Sequence, residues 1–518
     1  MRFPRSSGLL LHPTSLPGRF GIGDLGAEAY RFVDFLVRSG QSLWQMMPLG
    51  PTGYGDSPYQ CFSAFAGNPL LVSPEKLVSD GYLLSADLGT PSFPDNQVDY
   101  GPVIAYKTAL LKQSFLHFQR QAGFGQKEAF ASFCQKNAPW LEDYALFMAL
   151  KKAHGGAVWN EWGRDIAQRE PEAIRRWSQS LAESMLMEEY FQFLFFQQWA
   201  KLKRYANEKG IKIIGDIPIF VAYDSADAWS HPEMFYFDSE RRLTHVAGVP
   251  PDYFSPTGQL WGNPLYRWDL MAQQGFAWWI ERLRMVFTLV DIVRLDHFRG
   301  FEAYWEVLAG EKTAVNGRWV KGPGAAFFEA AQKALGELPI IAEDLGVITP
   351  PVEALRDRFA FPGMKVLQFA FDSGPDNPYL PHNYLPNCVV YSGTHDNDTT
   401  VGWFATRPPE ERKAVLEYLA RDGHDITRDL MRLAFSSTAD LAIVPLQDVL
   451  RLSTEARMNH PGQPSGNWTW RYKSDALTDQ LAHELREMMR IYGRLPRKKE
   501  PEPIAPGEQV SQKATCAG

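Results

Sequence analysis

Residues 290–300, V-D-I-V-R-L-D-H-F-R-G, decide how the rest of this 518-residue chain is interpreted. The apolar run from Val290 to Val293 is typical of a buried parallel strand, and charged residues follow it at once. In α/β barrels the active site lies at the carboxyl ends of the strands, so polar residues placed there are candidates for chemistry. An ordinary buried ion pair between Arg294 and Asp296 is the alternative, because structural ion pairs occupy such positions too.

The same pattern, an apolar run that ends in polar residues, recurs along the chain. The predicted strands are Ser7–His12, Ser42–Met47, Ile211–Phe220, a fourth around Ile292, Leu338–Ala342, Met364–Phe371, Cys388–Ser392 and Leu441–Leu446. Helix-like runs separate most of them, so about eight strand–helix units predict an α/β fold, a closed (β/α)8 barrel of TIM type. An open doubly wound sheet is the alternative, but the sequence has no glycine-rich phosphate-binding motif of the Rossmann or Walker type.

Three segments interrupt the strand–helix alternation. They predict large, mainly helical and loop insertions at the carboxyl-terminal rim, at about residues 55–200, 222–275 and 300–335. Helices predicted in the first insertion include Val103–Ala122 and Ala182–Asn207, whose aromatic residues are interpreted as core. Within the second insertion, residues 248–266 are rich in proline, glycine and aromatic residues. They predict a stiff loop that holds aromatic side chains over a groove.

A single catalytic domain is predicted over residues 1–495, without a separate C-terminal β domain. Its last helix is predicted at Asp475–Tyr492. Residues 496–518 combine proline, mixed charge and few apolar side chains, a composition typical of a flexible tail.

The composition excludes several classes of partner and compartment. A net charge of −7 gives no general attraction to nucleic acids or anionic membranes. No run approaches about 18 consecutive apolar residues, and the first residues lack the apolar region of a signal peptide, so we expect a cytoplasmic protein. The four cysteines are scattered without the spacing of a zinc site.

Three of the predicted strands are followed by carboxylates, namely Asp296, Glu343 and Asp396. Carboxylates gathered from separate strands repel each other and lose solvation, so their assembly needs a functional reason. Cleavage of a glycosidic bond is one, because a retaining enzyme needs an ionised nucleophile and a protonated acid about 5–5.5 Å apart. A divalent metal site is the alternative, because Asp396, Asn397 and Asp398 in a row could suit a hard cation. Neither HExxH nor EF-hand spacing supports it, and we expect no metal and no cofactor.

Several sequence blocks carry a resemblance to a known family. The blocks G-D-I-P-I-F-V-A (215–222), R-L-D-H-F-R-G (294–300), A-E-D-L-G (342–346) and G-T-H-D-N (393–397) resemble the shared regions of the α-amylase superfamily. The stretch P-P-D-Y-F-S-P-T-G-Q-L-W-G-N-P-L-Y (250–266) and the block R-M-N-H-P-G (457–462) are similar to its amylomaltase branch, the 4-α-glucanotransferases. The resemblance extends over nearly all of residues 1–492.

The resemblance implies a role for each matching residue. Asp296 is implied as the nucleophile that forms a covalent glucosyl-enzyme, Glu343 as the general acid/base, and Asp396 as the carboxylate that holds the donor sugar. Substrate-binding roles are implied for Tyr59, Asp216, Arg294, His395, Gln259, Trp261, Ser57, Asn459, Pro461, Phe254, Asp252 and Tyr54. Among these, Tyr59 would stack on the donor ring, Gln259 and Trp261 would line the acceptor side, and Tyr54 would belong to a remote glucan groove.

The activity implied by the resemblance is transfer of an α-1,4-glucan segment to the 4-hydroxyl of glucose or of another glucan. The implied partners are maltooligosaccharides, amylose, glycogen and glucose, and we expect a monomer or a weak homo-oligomer. Two alternatives stay open at this point: an α-1,4-glucan hydrolase and a non-catalytic glucan-binding protein. A binding protein has no need of a nucleophile and acid pair, which disfavours the second alternative.

Overall fold

The computed structural model describes residues 2–251 and 255–497. Its strands, in chain order, are β1 (Ser6–Leu10), β2 (Leu43–Gln45), β3 (Lys212–Pro218), β4 (His245–Val249), β5 (Gln259–Pro264), β6 (Ile292–Asp296), β7 (Ala303–Leu308), β8 (Gly317–Lys321), β9 (Ile340–Ala342), β10 (Gly363–Val366), β11 (Cys388–Tyr391) and β12 (Leu441–Pro445). Eight of them close into a parallel barrel in the order β1-β12-β11-β10-β9-β6-β3-β2. The predicted (β/α)8 barrel of TIM type is therefore confirmed.

Each predicted strand corresponds to one barrel strand, although several predictions extend beyond the observed strand, Met364–Phe371 by the most residues. The apolar run Met364–Phe371 forms β10 only as far as Val366, and a 3-10 turn follows at Leu367–Phe369. The side chain of Gln368 in this turn donates to the carbonyl of Asp398 at 2.8 Å, which ties the turn to the segment after β11. The chain therefore leaves the sheet at the rim even though its apolar character continues.

The helices surround the barrel and build the first insertion. Their bounds are α1 (Ala27–Arg38), α2 (Pro74–Ser79), α3 (Tyr100–Gln121), α4 (Phe124–Ala153), α5 (Arg164–Ala167), α6 (Pro171–Ser180), α7 (Ala182–Glu208), α8 (Ala226–Ser230), α9 (Trp268–Gln273), α10 (Ala277–Leu289), α11 (Gly324–Leu335), α12 (Pro350–Arg358), α13 (Thr400–Thr406), α14 (Pro409–Leu419), α15 (Ile426–Ser436), α16 (Leu446–Val449) and α17 (Asp479–Ile491). The three predicted helices are confirmed as α3, α7 and α17. Aromatic residues of α7 such as Tyr190 and Phe193 are buried against Phe118 and Phe130, as core.

The second and third insertions form an antiparallel sheet in the order β5-β4-β7-β8. The prediction of a loop over residues 248–266 was wrong, since this segment contains the end of β4 and all of β5. Its turn-like composition is overridden because β4 pairs with β7, which lies about sixty residues further along the chain. Of the predicted site residues, Asp252 and Phe254 lie outside the described residues, as does the tail from residue 498 onward.

Within residues 2–251 and 255–497, no helix is both long enough and apolar enough to cross a membrane.

Candidate active site

Arg294 lies at the centre of a buried charge cluster at the carboxyl ends of β3 and β6. In the parallel register Asp216 pairs with Arg294 and Pro218 with Asp296, so side chains two residues apart on β6 share one face. The Nη1 atom of Arg294 donates to Asp216 Oδ2 at 2.6 Å and to Asp296 Oδ1 at 2.9 Å. The Asp296 side chain keeps 28% exposure while that of Arg294 has 4%, so Asp296 can be reached by a ligand and its partner cannot.

The charges in this cluster stabilise one another. Burial alone would lower the pKa of Arg294, but Asp216 and Asp296 outweigh it and raise the pKa above its usual value. Burial raises the pKa of Asp216 to about 6, although the positive charge of Arg294 opposes the rise. Arg294 therefore stays charged beside the accessible carboxylate of Asp296.

Tyr59 joins this cluster to the segment that follows β11. Its hydroxyl donates to Asp216 Oδ2 at 2.9 Å and lies 2.9 Å from His395 Nε2. Because a phenol has one hydrogen, the second bond requires His395 to carry its hydrogen on Nε2. The rings of Tyr59 and His395 are stacked with centroids 5.2 Å apart, and Trp468 packs at 5.8 Å from each. The orientation of the Tyr59 ring is thus fixed on two sides.

Asp396 is held by the segment 457–459. Asn459 Nδ2 donates to Asp396 Oδ1 at 2.6 Å, and Arg457 Nη2 donates to the Asp396 carbonyl at 2.7 Å. Arg457 Nε also donates to the carbonyl of Asn459 at 2.8 Å, which fixes the amide that contacts the carboxylate. Asp396 Oδ2 lies 3.4 Å from His395 Nε2, so Asp396 belongs to the same cluster as Tyr59.

Glu343 has a different environment from Asp296. The backbone N–H of His297 donates to its Oε2 at 2.7 Å, and the N–H of Leu345 donates to its Oε1 at 2.9 Å. Burial, with the negative charge of Asp296 as the second cause, raises the pKa of Glu343 to about 8. At neutral pH Glu343 is therefore a protonated acid next to an ionised carboxylate.

The antiparallel sheet brings Trp261 to the same rim. Its ring lies edge-on to that of His297, with centroids 4.8 Å apart and an interplanar angle of 79°. The Trp261 Nε1 donates to Gln259 Oε1 at 3.1 Å, which links the two β5 residues predicted for the acceptor side. Burial lowers the pKa of His297 to about 3, so its ring is neutral beside Trp261.

The remaining predicted site residues lie at the edges of this arrangement. Ser57 Oγ accepts from the backbone N–H of Tyr59 at 3.2 Å and so supports Tyr59 rather than a carboxylate. Tyr54 is 77% exposed in a short 3-10 turn, and Pro461 is exposed two residues beyond Asn459. Neither Tyr54 nor Pro461 is packed into the cluster around Arg294.

Sequence reasoning missed two residues of the site. Arg457 fixes Asp396, and its signal was present, because it begins the block R-M-N-H-P-G that was noticed for its resemblance. Trp468 packs on Tyr59 and His395 in a left-handed backbone conformation with φ of +62°. No local pattern marks Trp468, since only the folded chain brings it to these rings.

The metal alternative was based on Asp396, Asn397 and Asp398 in a row. Asn397 Oδ1 accepts from the N–H of Thr394 at 2.9 Å, and Asp398 Oδ2 accepts from Thr454 at 2.9 Å. These side chains therefore satisfy the protein's own donors. In the described part of the chain, no group of three or more His, Cys, Asp and Glu side chains is arranged to hold a metal ion.

Comparison with known proteins gives a consistent result. The family model described as 4-alpha-glucanotransferase matches residues 11–478. A 4-alpha-glucanotransferase of Thermus thermophilus is 55% identical over 503 residues, which cover 96% of this chain and 100% of the relative. A second 4-alpha-glucanotransferase, from Synechocystis, is 55% identical over 495 residues, which cover 95% of this chain and 98% of the relative.

Among solved structures, the amylomaltase from Streptococcus agalactiae in complex with acarbose is 40% identical, with a TM-score of 0.92. The match covers 95% of this chain and 100% of that chain. Sequence and fold agree, and the resemblance found in the sequence blocks is confirmed: the chain belongs to the 4-alpha-glucanotransferase family.

Proposed function

We propose that this protein is a 4-α-glucanotransferase that acts with retention of configuration through a covalent glucosyl-enzyme. The observation that carries the proposal is the contrast between two neighbouring carboxyl groups. Asp296 is paired with buried Arg294 at 2.9 Å, and burial raises the pKa of Glu343 to about 8. An ionised carboxylate beside a protonated one is the arrangement that retaining glycoside chemistry needs.

In the first half of the reaction, the Asp296 carboxylate attacks the anomeric carbon of the donor sugar. The bond from that carbon to the glycosidic oxygen breaks, and the proton of Glu343 moves to the departing oxygen. An ester to Asp296 is formed and Glu343 becomes a carboxylate. Burial still raises the pKa of Glu343 at this stage, but the second cause, the negative charge of Asp296, is absent from the ester.

In the second half, the 4-hydroxyl of an acceptor glucan attacks the same carbon. Glu343 removes the hydroxyl proton, the ester bond breaks, and Asp296 leaves as a carboxylate beside Arg294. Glu343 thereby regains the proton with which the cycle began. Each of the two attacks comes from the side opposite the departing group and inverts the anomeric carbon. Two inversions together retain the configuration of the donor sugar.

The donor sugar is assigned to the cluster of Asp396, His395 and Tyr59. Asp396 Oδ1 is occupied by Asn459, which leaves the remaining acceptor capacity of the carboxylate for sugar hydroxyls. The Tyr59 hydroxyl is used by Asp216 and His395, so the ring serves as an oriented apolar surface. Such fixed groups stabilise a distorted sugar without reorganising during the reaction.

The choice between transfer and hydrolysis depends on the acceptor side. Water is present at about 55 M, so a millimolar acceptor competes only with an advantage on the order of 10⁴ or more from binding and orientation. Trp261 and Gln259 on β5 are the groups assigned to hold the acceptor and exclude water. Their position at the rim with His297 supports this assignment.

The substrates proposed are maltooligosaccharides, amylose and glycogen, with glucose as the smallest acceptor. The neutral chemistry of these sugars suits a protein with a net charge of −7. We further propose that the protein works in the cytoplasm as a monomer or weak homo-oligomer, with one catalytic unit over residues 1–495.

Incubation of the protein with maltotriose tests the activity. We expect longer and shorter maltodextrins to form without a rise in total reducing ends. The Asp296→Asn variant should form neither the longer nor the shorter products. A rise in reducing ends without longer products would instead identify an α-1,4-glucan hydrolase. Unchanged maltotriose would favour a glucan-binding protein.

A further inference from the structure

The turn after Asp296 holds the loop that carries Glu343 at three points. The N–H of His297 donates to the Glu343 carboxyl at 2.7 Å, and the N–H of Phe298 donates to the Glu343 carbonyl at 3.0 Å. Further along, Arg299 Nη1 donates to the carbonyl of Val347. Leu345, whose N–H binds the second oxygen of Glu343, lies between the fixed residues 343 and 347. The third attachment therefore limits where the Leu345 amide can lie.

Arg299 is in turn held from outside the barrel. Its guanidinium lies 3.7 Å from the ring centroid of Trp319 on β8, well within the range of a cation–π contact. Arg299 is 6% exposed, whereas Trp319 is 41% exposed. The tryptophan thus covers a buried cation that donates to the backbone carbonyls of Ala303 and Val347 and is near the charge of Glu302. Removing the ring would open Arg299 to water and to other rotamers.

We propose that Trp319 and Arg299 are positioning residues for Glu343. They form a clasp, Trp319–Arg299–Val347, that keeps the Leu345 amide on the carboxyl of Glu343. Trp319 belongs to the antiparallel insertion sheet, so this sheet would contribute to catalysis at the acid/base as well as at the acceptor side. The inference rests on the proposed acid/base role of Glu343.

The dependence of kcat/KM on pH reports on this clasp, because the hydrogen bond from the Leu345 amide affects the pKa of Glu343. The charged and titratable groups that face Glu343 are Asp296 and Arg294 on β6 and Tyr379 beyond β10. The N–H bonds from Leu345 and His297 oppose the rise in the pKa of Glu343, since both favour the carboxylate. Loosening the Leu345 bond therefore raises this pKa further and moves the alkaline limb of kcat/KM to higher pH.

The test compares Trp319→Leu with Trp319→Phe, which keeps an aromatic face, and with Arg318→Leu, which changes the exposed neighbour on β8. For Trp319→Leu we expect kcat to fall between about 3- and 100-fold with little change in KM. The alkaline limb of the kcat/KM profile should move to higher pH, and backbone hydrogen exchange over residues 344–349 should become faster. Trp319→Phe should lose less activity, and Arg318→Leu should match the parent.

A loss of kcat with an unchanged or lowered alkaline limb and unchanged exchange would overturn the clasp. If Trp319→Leu does not fold, Arg299→Lys supplies the second measurement, because lysine keeps the charge but loses the planar contact. An unshifted limb in that variant would overturn the proposal equally. A parent protein without transfer activity would be a failure of the proposed function and not of the clasp.

Discussion

At the scale of single residues, two carboxyl groups take different protonation states because their neighbours differ. Asp296 has a guanidinium at 2.9 Å and remains partly open to solvent. The partners of the Glu343 carboxyl within the described residues are two backbone N–H groups, and burial together with the charge of Asp296 raises its pKa to about 8. The assignment of nucleophile and acid therefore follows from position and not from residue type.

Glu343→Gln removes the proton donor while keeping the size of the side chain. With maltotriose we expect a loss of about 10²–10⁴-fold in kcat, the usual contribution of a general acid. With α-maltosyl fluoride, whose leaving group needs no protonation, formation of the glucosyl-enzyme should be largely retained. Release of fluoride followed in single-turnover experiments measures this step.

The matched control for this experiment is Asp296→Asn, which should be inactive with both donors because it lacks the nucleophile. Equal losses of Glu343→Gln with maltotriose and with the fluoride would contradict the role of Glu343 as a proton donor. Asp357→Asn changes an exposed carboxylate on α12 and should leave both reactions unchanged.

At the scale of elements, the hairpin of β4 and β5 brings to the barrel the two residues proposed for the acceptor side, Gln259 and Trp261. Alternation along β5 sets Gln259 and Trp261 on one face and Leu260 on the other. Trp261 is the residue of this hairpin that packs against the turn after Asp296, through His297. The hairpin is therefore the element on which the ratio of transfer to hydrolysis should depend.

Trp261→Leu should raise the ratio of hydrolysis to transfer by on the order of tenfold, because the acceptor loses an apolar wall and water gains access to the ester. New reducing ends measured against longer products from maltotriose give this ratio. Leu260→Ala, which truncates a 39% exposed side chain on the other face of β5, serves as the control. If the two variants show the same ratio as the parent, the hairpin does not select the acceptor.

At the scale of the whole molecule, the fold keeps the Glu343 carboxyl protonated at pH values where it would ionise in the unfolded chain. Glu343 keeps its proton up to about pH 8 in the folded protein, against a usual value of 4.5 that applies once the chain unfolds. Between these values unfolding releases a proton, so this group makes the folded state less stable as the pH rises. The proton of the proposed catalytic acid is thus maintained at a cost in stability.

Glu343→Gln should remove this dependence on pH. The melting temperature of the variant, relative to the parent, should be higher at pH 8.5 than at pH 5 by about 1–3 °C. Calorimetry at the two pH values measures the difference, in which the contributions of other groups largely cancel. An equal difference at both pH values would mean that Glu343 is not protonated in the folded protein at neutral pH.

The sequence alone determined the barrel and the identity of its rim carboxylates. Buried parallel strands are continuous apolar runs, and the polar residues that end them, such as Asp296 and Glu343, are visible without knowledge of any contact. These are local patterns, so β1, β6 and β12 could be located from neighbouring residues. The family blocks then supplied the roles expected of the carboxylates.

Only the tertiary structure decided what depends on distant parts of the chain. The sheet β5-β4-β7-β8 forms by pairing segments far apart in sequence, which overrides the loop-like composition of residues 248–266. The contacts of Arg457 with Asp396 and of Trp468 with His395 are likewise long-range. The proton on Glu343 depends on burial by surrounding elements, and burial is a property of the folded chain that no local sequence pattern encodes.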